Sequence, residues 1–137
     1  MIVRCVANKG SEIGPYRQGL FYTPETRYDL SIDSSYKVFA MALLNGFLTV
    51  LVADDYDKPA WLPLQLFEVE DSSLPGHWEF AAGEAGMPSP ESGELICGGR
   101  WGYSEVVHSD THYYDLEERD SEALRVFNEE RSRSSRG

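Results

Sequence analysis

The sequence predicts an α+β domain, mainly β: a small antiparallel barrel or curved sheet with a C-terminal α-helix. Three features carry this. The pair Asn45-Gly46 splits a long apolar run into two strand-like halves, which is the chemistry of a two-residue hairpin turn. Short β-branched and aromatic islands follow, separated by Gly, Pro and Asp, and near Asp120 the apolar spacing changes from two to between three and four. A chain of 137 residues suffices for one core and is short for two. Residues 1–130 are therefore expected to form a single domain, and residues 131–137, with three Arg and no acid, a basic flexible tail.

Met1 to Ala7 alternates loosely between apolar and polar side chains and reads as a first strand. From Asn8 to Thr26, Gly10, Gly14, Pro15, Gly19 and Pro24 produce an irregular loop. Loops of that length in a small domain usually have a role, so Tyr16 and Tyr22 are candidate contact residues. Tyr28 to Ile32 reads as a short lead-in strand.

Val38 to Ala53 is nearly all apolar over 16 residues. A membrane helix needs roughly twenty, and Asn45-Gly46 interrupts this run, so a hairpin is expected. With those two residues as its turn, Leu44 faces Phe47, Met41 faces Val50, Phe39 faces Val52, and Lys37 faces Asp54, so that opposite charges close the open end. Phe39, Met41 and Leu43 then share one face and Val38, Ala40 and Ala42 the other. Because both faces are apolar, cover is expected on both sides, from further sheet and from a helix or partner chain.

Asp54-Asp55-Tyr56-Asp57-Lys58-Pro59 forms a turn. Trp61 to Gln65 follows as an edge or bend, since Pro63 has no N–H to give a ladder, and Leu66 to Glu70 as a strand. Between Ser72 and Gly102 only His77 to Ala81 and Glu94 to Cys97 look like strand. Ser104 to Glu118 reads as a short helix and turn. Asp120 caps a final helix that carries Ala123, Leu124 and Phe127 on one face and places Glu129 four residues before Arg133.

Twelve Lys and Arg face 23 Asp and Glu, a net charge of −11. Without the three Arg of the tail, the body holds nine basic groups against 23 acidic ones, or −14. Such a field repels phosphate backbones and anionic lipid, which argues against direct nucleic-acid binding and against a membrane surface. Cys5 and Cys97 show no pairing framework, sit in apolar strand-like contexts where thiols are inert, and point to a reduced compartment. Arg4 and Asn8 interrupt any signal-peptide core, so a cytoplasmic location is expected.

The succession of strand, long loop, Tyr36-Lys-Val-Phe hairpin, Asp54-Asp55 turn, Trp61-Leu-Pro-Leu-Gln-Leu-Phe-Glu-Val and Asp71-Ser-Ser-Leu-Pro-Gly-His-Trp resembles small acidic bacterial and phage proteins of SH3-like barrel type. Some proteins of that kind are immunity or inhibitor proteins that neutralise a toxin or defence enzyme by binding it. The resemblance covers residues 28–80 and the terminal helix. It implies an SH3-like antiparallel barrel and transfers no catalytic residue.

His108-Ser-Asp-Thr-His112 sets two imidazoles four apart, a spacing that presents two metal ligands on one helix turn and would suit a small metal-dependent hydrolase. The Glu that should follow the first His is missing, as is a third ligand, so neither a metal nor any other cofactor is expected. Asp54, Asp55 and Asp57 lack the glycine and distal Glu of a calcium loop. Nothing on a polar helix face would raise the pKa of Glu117-Glu118 or Glu129-Glu130 for acid–base work. No catalytic residue is assigned.

Trp61, Trp78 and Trp101, with Tyr16, Tyr22, Tyr56, Tyr103, Tyr113 and Tyr114, are more aromatics than so small a core buries, and several are flanked by acids. Aromatics in an acidic setting make a usable protein interface. The expected function is a non-enzymatic, protein-binding inhibitor of the immunity or anti-defence type. Asp54, Asp55, Tyr56, Asp57, Trp61, Tyr16 and Tyr22 would contact a basic protein, such as a nuclease toxin or defence effector, by imitating the charge of nucleic acid. The hydrolase using His108 and His112 is one alternative, and a regulatory module with a small ligand in its barrel mouth is another.

Overall fold

The computed structural model describes residues 1–13, 23–44, 46–82 and 97–135. In chain order the elements are β1 (Ile2–Cys5), β2 (Ser35–Lys37), β3 (Ala40–Leu44), β4 (Phe47–Ala53), β5 (Pro59–Pro63), β6 (Phe67–Asp71), β7 (Glu79–Ala82), β8 (Cys97–Gly102), α1 (Ser104–His108), α2 (Asp110–Glu117) and α3 (Ser121–Ser135). Strands in the order β2-β1-β6 form one antiparallel sheet, and strands in the order β5-β4-β3-β8-β7 form a second. The fold is thus α+β and mainly sheet. Among the described residues the expected barrel does not close: each sheet keeps two edges, β2 and β6 in one, β5 and β7 in the other.

The hairpin β3–β4 is the centre of the molecule. Gly46 lies at φ 82°, as a two-residue hairpin turn needs, and Leu44 faces Phe47 while Met41 faces Val50. Asn45 lies outside the described residues. Both faces of the hairpin are covered, for the reason its two apolar faces require. Met41, Val50, Val52 and Leu62 pack with Val3, Cys5, Leu30, Tyr36, Val38, Leu66 and Phe67 between the two sheets. On the other side Ala40, Ala42, Leu44 and Leu51 pack with Tyr103, Val106, Val107, Tyr113, Leu116, Ala123 and Phe127 of the helical layer.

The predicted register fails beyond Ala40. Val38 and Phe39 are not part of a strand; they carry the chain from one sheet to the other, so Lys37 pairs with Ile2 of β1 and not with Asp54. The same step reverses the alternation: Val38 joins the inter-sheet core, while Phe39 turns to the helices and meets Phe127 edge-on at 5.3 Å between ring centroids. This crossing also explains why a closed barrel does not form, since β2 leaves its hairpin to pair with β1.

Strands β1, β5 and β6 lie where the sequence puts them, and β5 is the edge strand that Pro59 and Pro63 allow. Tyr28 to Ile32 is no strand. Its chain bends, buries Leu30, and is pinned by Asn8 Nδ2 donating to the Leu30 carbonyl at 3.0 Å. Of the second strand island, residues 94–96 lie outside the described residues, and β8 runs onward from Cys97 to Gly102.

Ser104 to Glu118 forms two helices, because Ser109 adopts extended backbone and caps α2, its Oγ accepting from the His112 N–H at 3.1 Å. Asp120 caps α3 through the N–H groups of Glu122 and Ala123. Residues 131–135 belong to α3, with Arg131 pairing to Asp57 at 3.0 Å, and residues 136 and 137 of the expected tail lie outside the described residues. Arg133 pairs with the buried Glu130, while the partner of Glu129 is Arg125. No helix among the described residues is long and apolar enough to cross a membrane.

Candidate functional site

The Asp54–Asp57 turn joins β4 to β5, and its acids serve different ends. Asp54 is buried; one carboxylate oxygen accepts from the N–H groups of Tyr56 at 2.9 Å and Lys58 at 3.1 Å, so the side chain builds the turn. Asp55 accepts from Ser31 Oγ at 2.7 Å and Tyr36 Oη at 2.6 Å and ties the turn to the segment before β2. Burial and this contact with Asp55 push the Tyr36 phenol up from its ordinary value. Asp57, at φ 60° and paired with Arg131, and Tyr56, 70% exposed, face outward, and Asp55 is exposed as well although Ser31 and Tyr36 hold its carboxylate. The predicted acidic patch is therefore one buried acid, one exposed acid tied to Ser31 and Tyr36, and an exposed Tyr-Asp pair. Tyr16 and Tyr22 lie outside the described residues.

Trp61 is half-buried on β5 and stacks on Tyr113 of α2, with 5.0 Å between ring centroids. Arg100 of β8 covers the Tyr113 ring from 4.1 Å and reaches Asp110 at 2.9 Å. Trp61 is thus the floor beneath α2. The helix buries His112, Tyr113 and Leu116, which leaves Asp110, Thr111, Tyr114, Glu117 and Glu118 exposed on its outer side. Spacings of four, seven and eight put Asp110, Tyr114, Glu117 and Glu118 on one stripe. Tyr114 is 58% exposed and stands edge-on to Tyr113. Partial desolvation, with the neighbouring Glu118 charge, holds the Glu117 carboxyl above its ordinary value. The sequence names these residues but does not join them, because the helical spacing of Ser104 to Glu118 is masked by its aromatic and β-branched residues.

The two imidazoles of the predicted metal pair diverge. His108 ends α1 and meets Glu79 at 3.0 Å on the surface, whereas His112 is buried and takes its Nε2 hydrogen bond from the Tyr103 hydroxyl at 2.7 Å. Burial lowers the pKa of His112 despite the attraction of Glu105 and Asp115, and burial raises that of Tyr103, so the neutral imidazole accepts from a neutral phenol. Burial likewise raises the Cys5 thiol, and its Sγ lies 3.2 Å from the Ala7 carbonyl, which suits packing rather than reaction. Among the described residues no group of three His, Cys, Asp or Glu is placed to hold a metal ion.

Glu130 is the buried acid that sequence reading misses. It is 4% exposed on α3 and held by His77 Nε2 at 2.5 Å and Arg133 at 3.4 Å. No sequence signal separates it from its exposed neighbour Glu129. Comparison of the chain with protein-family models, curated proteins and solved structures finds no match.

Proposed function

We propose that this chain is a non-enzymatic inhibitor that binds a basic protein, such as a nuclease toxin or defence effector, and that the outer face of α2 is its contact surface. One observation carries the reading: Tyr114 stands exposed in a stripe of Asp110, Glu117 and Glu118 on a helix braced by the Tyr113–Trp61 stack. An exposed tyrosine loses little side-chain entropy on contact, and surrounding carboxylates speed encounter with a cationic partner. Carboxylates along a helix offer a basic cleft the charge it uses on phosphates, without the sugar and base. Tyr56 and Asp57 form a second, smaller exposed pair of the same chemistry.

The test compares capture from host and rival extracts by the full chain and by two variants, Tyr114→Ala and Glu117→Gln/Glu118→Gln. The expected result is one basic protein retained by the wild type and lost from both variants, with Tyr114→Ala costing about 2 kcal/mol of binding energy if the residue is a central anchor. Equal retention of that protein by both folded variants rejects the α2 face.

A further inference from the structure

We infer that a groove of about 470 Å³ between the Ser73–His77 segment, β2 and the end of α3 is a binding site for a small phosphorylated ligand, held by Arg133, His77 and Lys37 with Leu74 and Pro75 against its apolar part. This site is distinct from the α2 face. Three of the few basic side chains in an acidic chain converge here from three separate parts of the fold. The acids close to them are already engaged: Glu130 is buried beneath His77 and Arg133, and Asp71 caps the Ser73 N–H at 2.9 Å.

Two of these donors, His77 and Arg133, have capacity left. His77 uses Nε2 on Glu130, and its Nδ1 has no partner among the described residues. Arg133 makes one long contact of 3.4 Å from a guanidinium with five N–H groups, and its side chain is 67% exposed. In the groove-lining segment the Ser73 N–H is bonded to Asp71 and, just beyond it, the Trp78 N–H to the Pro75 carbonyl. Leu74, 48% exposed, adds an apolar wall that a bare ion would not use. The volume is that of a small-molecule site. The overall negative charge opposes approach only over the screening distance of about 8 Å at physiological salt.

The test is calorimetric or NMR titration of the full chain with inorganic phosphate and with adenosine monophosphate. Expected are saturable binding of both, tighter for the nucleotide, and a loss of about tenfold or more for both in Arg133→Gln. Leu74→Ser should weaken the nucleotide alone, and Arg125→Gln, on another stretch of α3, should change neither. If Arg133→Gln fails to fold once Glu130 keeps only His77, Lys37→Gln on the exposed side of β2 supplies the same reading, with a similar loss expected. Absence of saturable binding at millimolar ligand, or affinity unchanged in the folded charge variant, overturns the site. Equal affinity for phosphate and nucleotide overturns the role given to Leu74 and Pro75.

Discussion

At the scale of single residues, neighbouring acids of one turn are expected to differ sharply. Asp54→Ala strips two backbone N–H groups of their acceptor at a buried site and should cost about 1–3 kcal/mol, whereas Asp57→Ala removes one exposed ion pair and should cost less than about 1 kcal/mol. Urea unfolding of the two variants checks this, and equal losses would contradict the assignment of Asp54 to the turn. His112 makes a second case. Its pKa is lowered in the folded chain, so the unfolded chain binds the proton first as pH falls. Stability is then full above the ordinary imidazole value of 6.5 and is lost below it, by at most about 1.4 kcal/mol per pH unit. His112→Gln keeps an acceptor for Tyr103 without titrating, so the unfolding free energy of the wild type minus that of the variant should decrease as pH falls below 6.5. A difference independent of pH would reject a buried neutral imidazole. None of this was legible in the sequence: Asp54 and Asp57 look alike in a turn, and the partners Ser31, Tyr36 and Tyr103 are fixed only once the chain has folded.

Among the elements, legibility follows how local the determining signal is. The β3–β4 register was readable because two adjacent residues set it, and the α3 cap because Asp120 satisfies N–H groups two and three positions on. The crossing at Val38 and Phe39 was not, because an apolar residue suits either core, and only the competing pairing of β2 with β1 decides which. For the same reason the α2 stripe stayed hidden while the turn acids looked like the site. Gly102 shows what β8 demands of its sequence. It lies at φ 153°, and a Cβ there would sit 2.7 Å from that of Ala40 on the adjacent β3. Gly102→Ala must therefore strain its own backbone and push apart the central strands, at a cost of about 2 kcal/mol or more. Gly76→Ala, whose Cβ would meet nothing within 4 Å, is the control and should change the melting temperature little. Similar melting temperatures for the two variants would mean that β8 does not lie so tightly against β3.

For the whole molecule, the net charge of −11 acts on folding and on binding with opposite signs. Packing so many carboxylates into one domain stores mutual repulsion, and the pairs that relieve it, such as Arg4 with Glu68 and Asp33 or Arg125 with Glu122 and Glu129, are mostly exposed and individually weak. Adding salt shortens the screening length from about 30 Å at 0.01 M to about 8 Å at 0.15 M, which weakens long-range repulsion more than contacts already at hydrogen-bond distance. The melting temperature should thus rise over that range. Association with a basic partner through the α2 carboxylates should weaken over the same range, chiefly through a slower on-rate, because the attraction that steers the encounter is of the long-range kind. Thermal unfolding and stopped-flow association in one buffer series measure the two together. A partner whose on-rate is indifferent to salt, while the melting temperature still climbs, would show that the acidic surface governs folding but does not guide recognition.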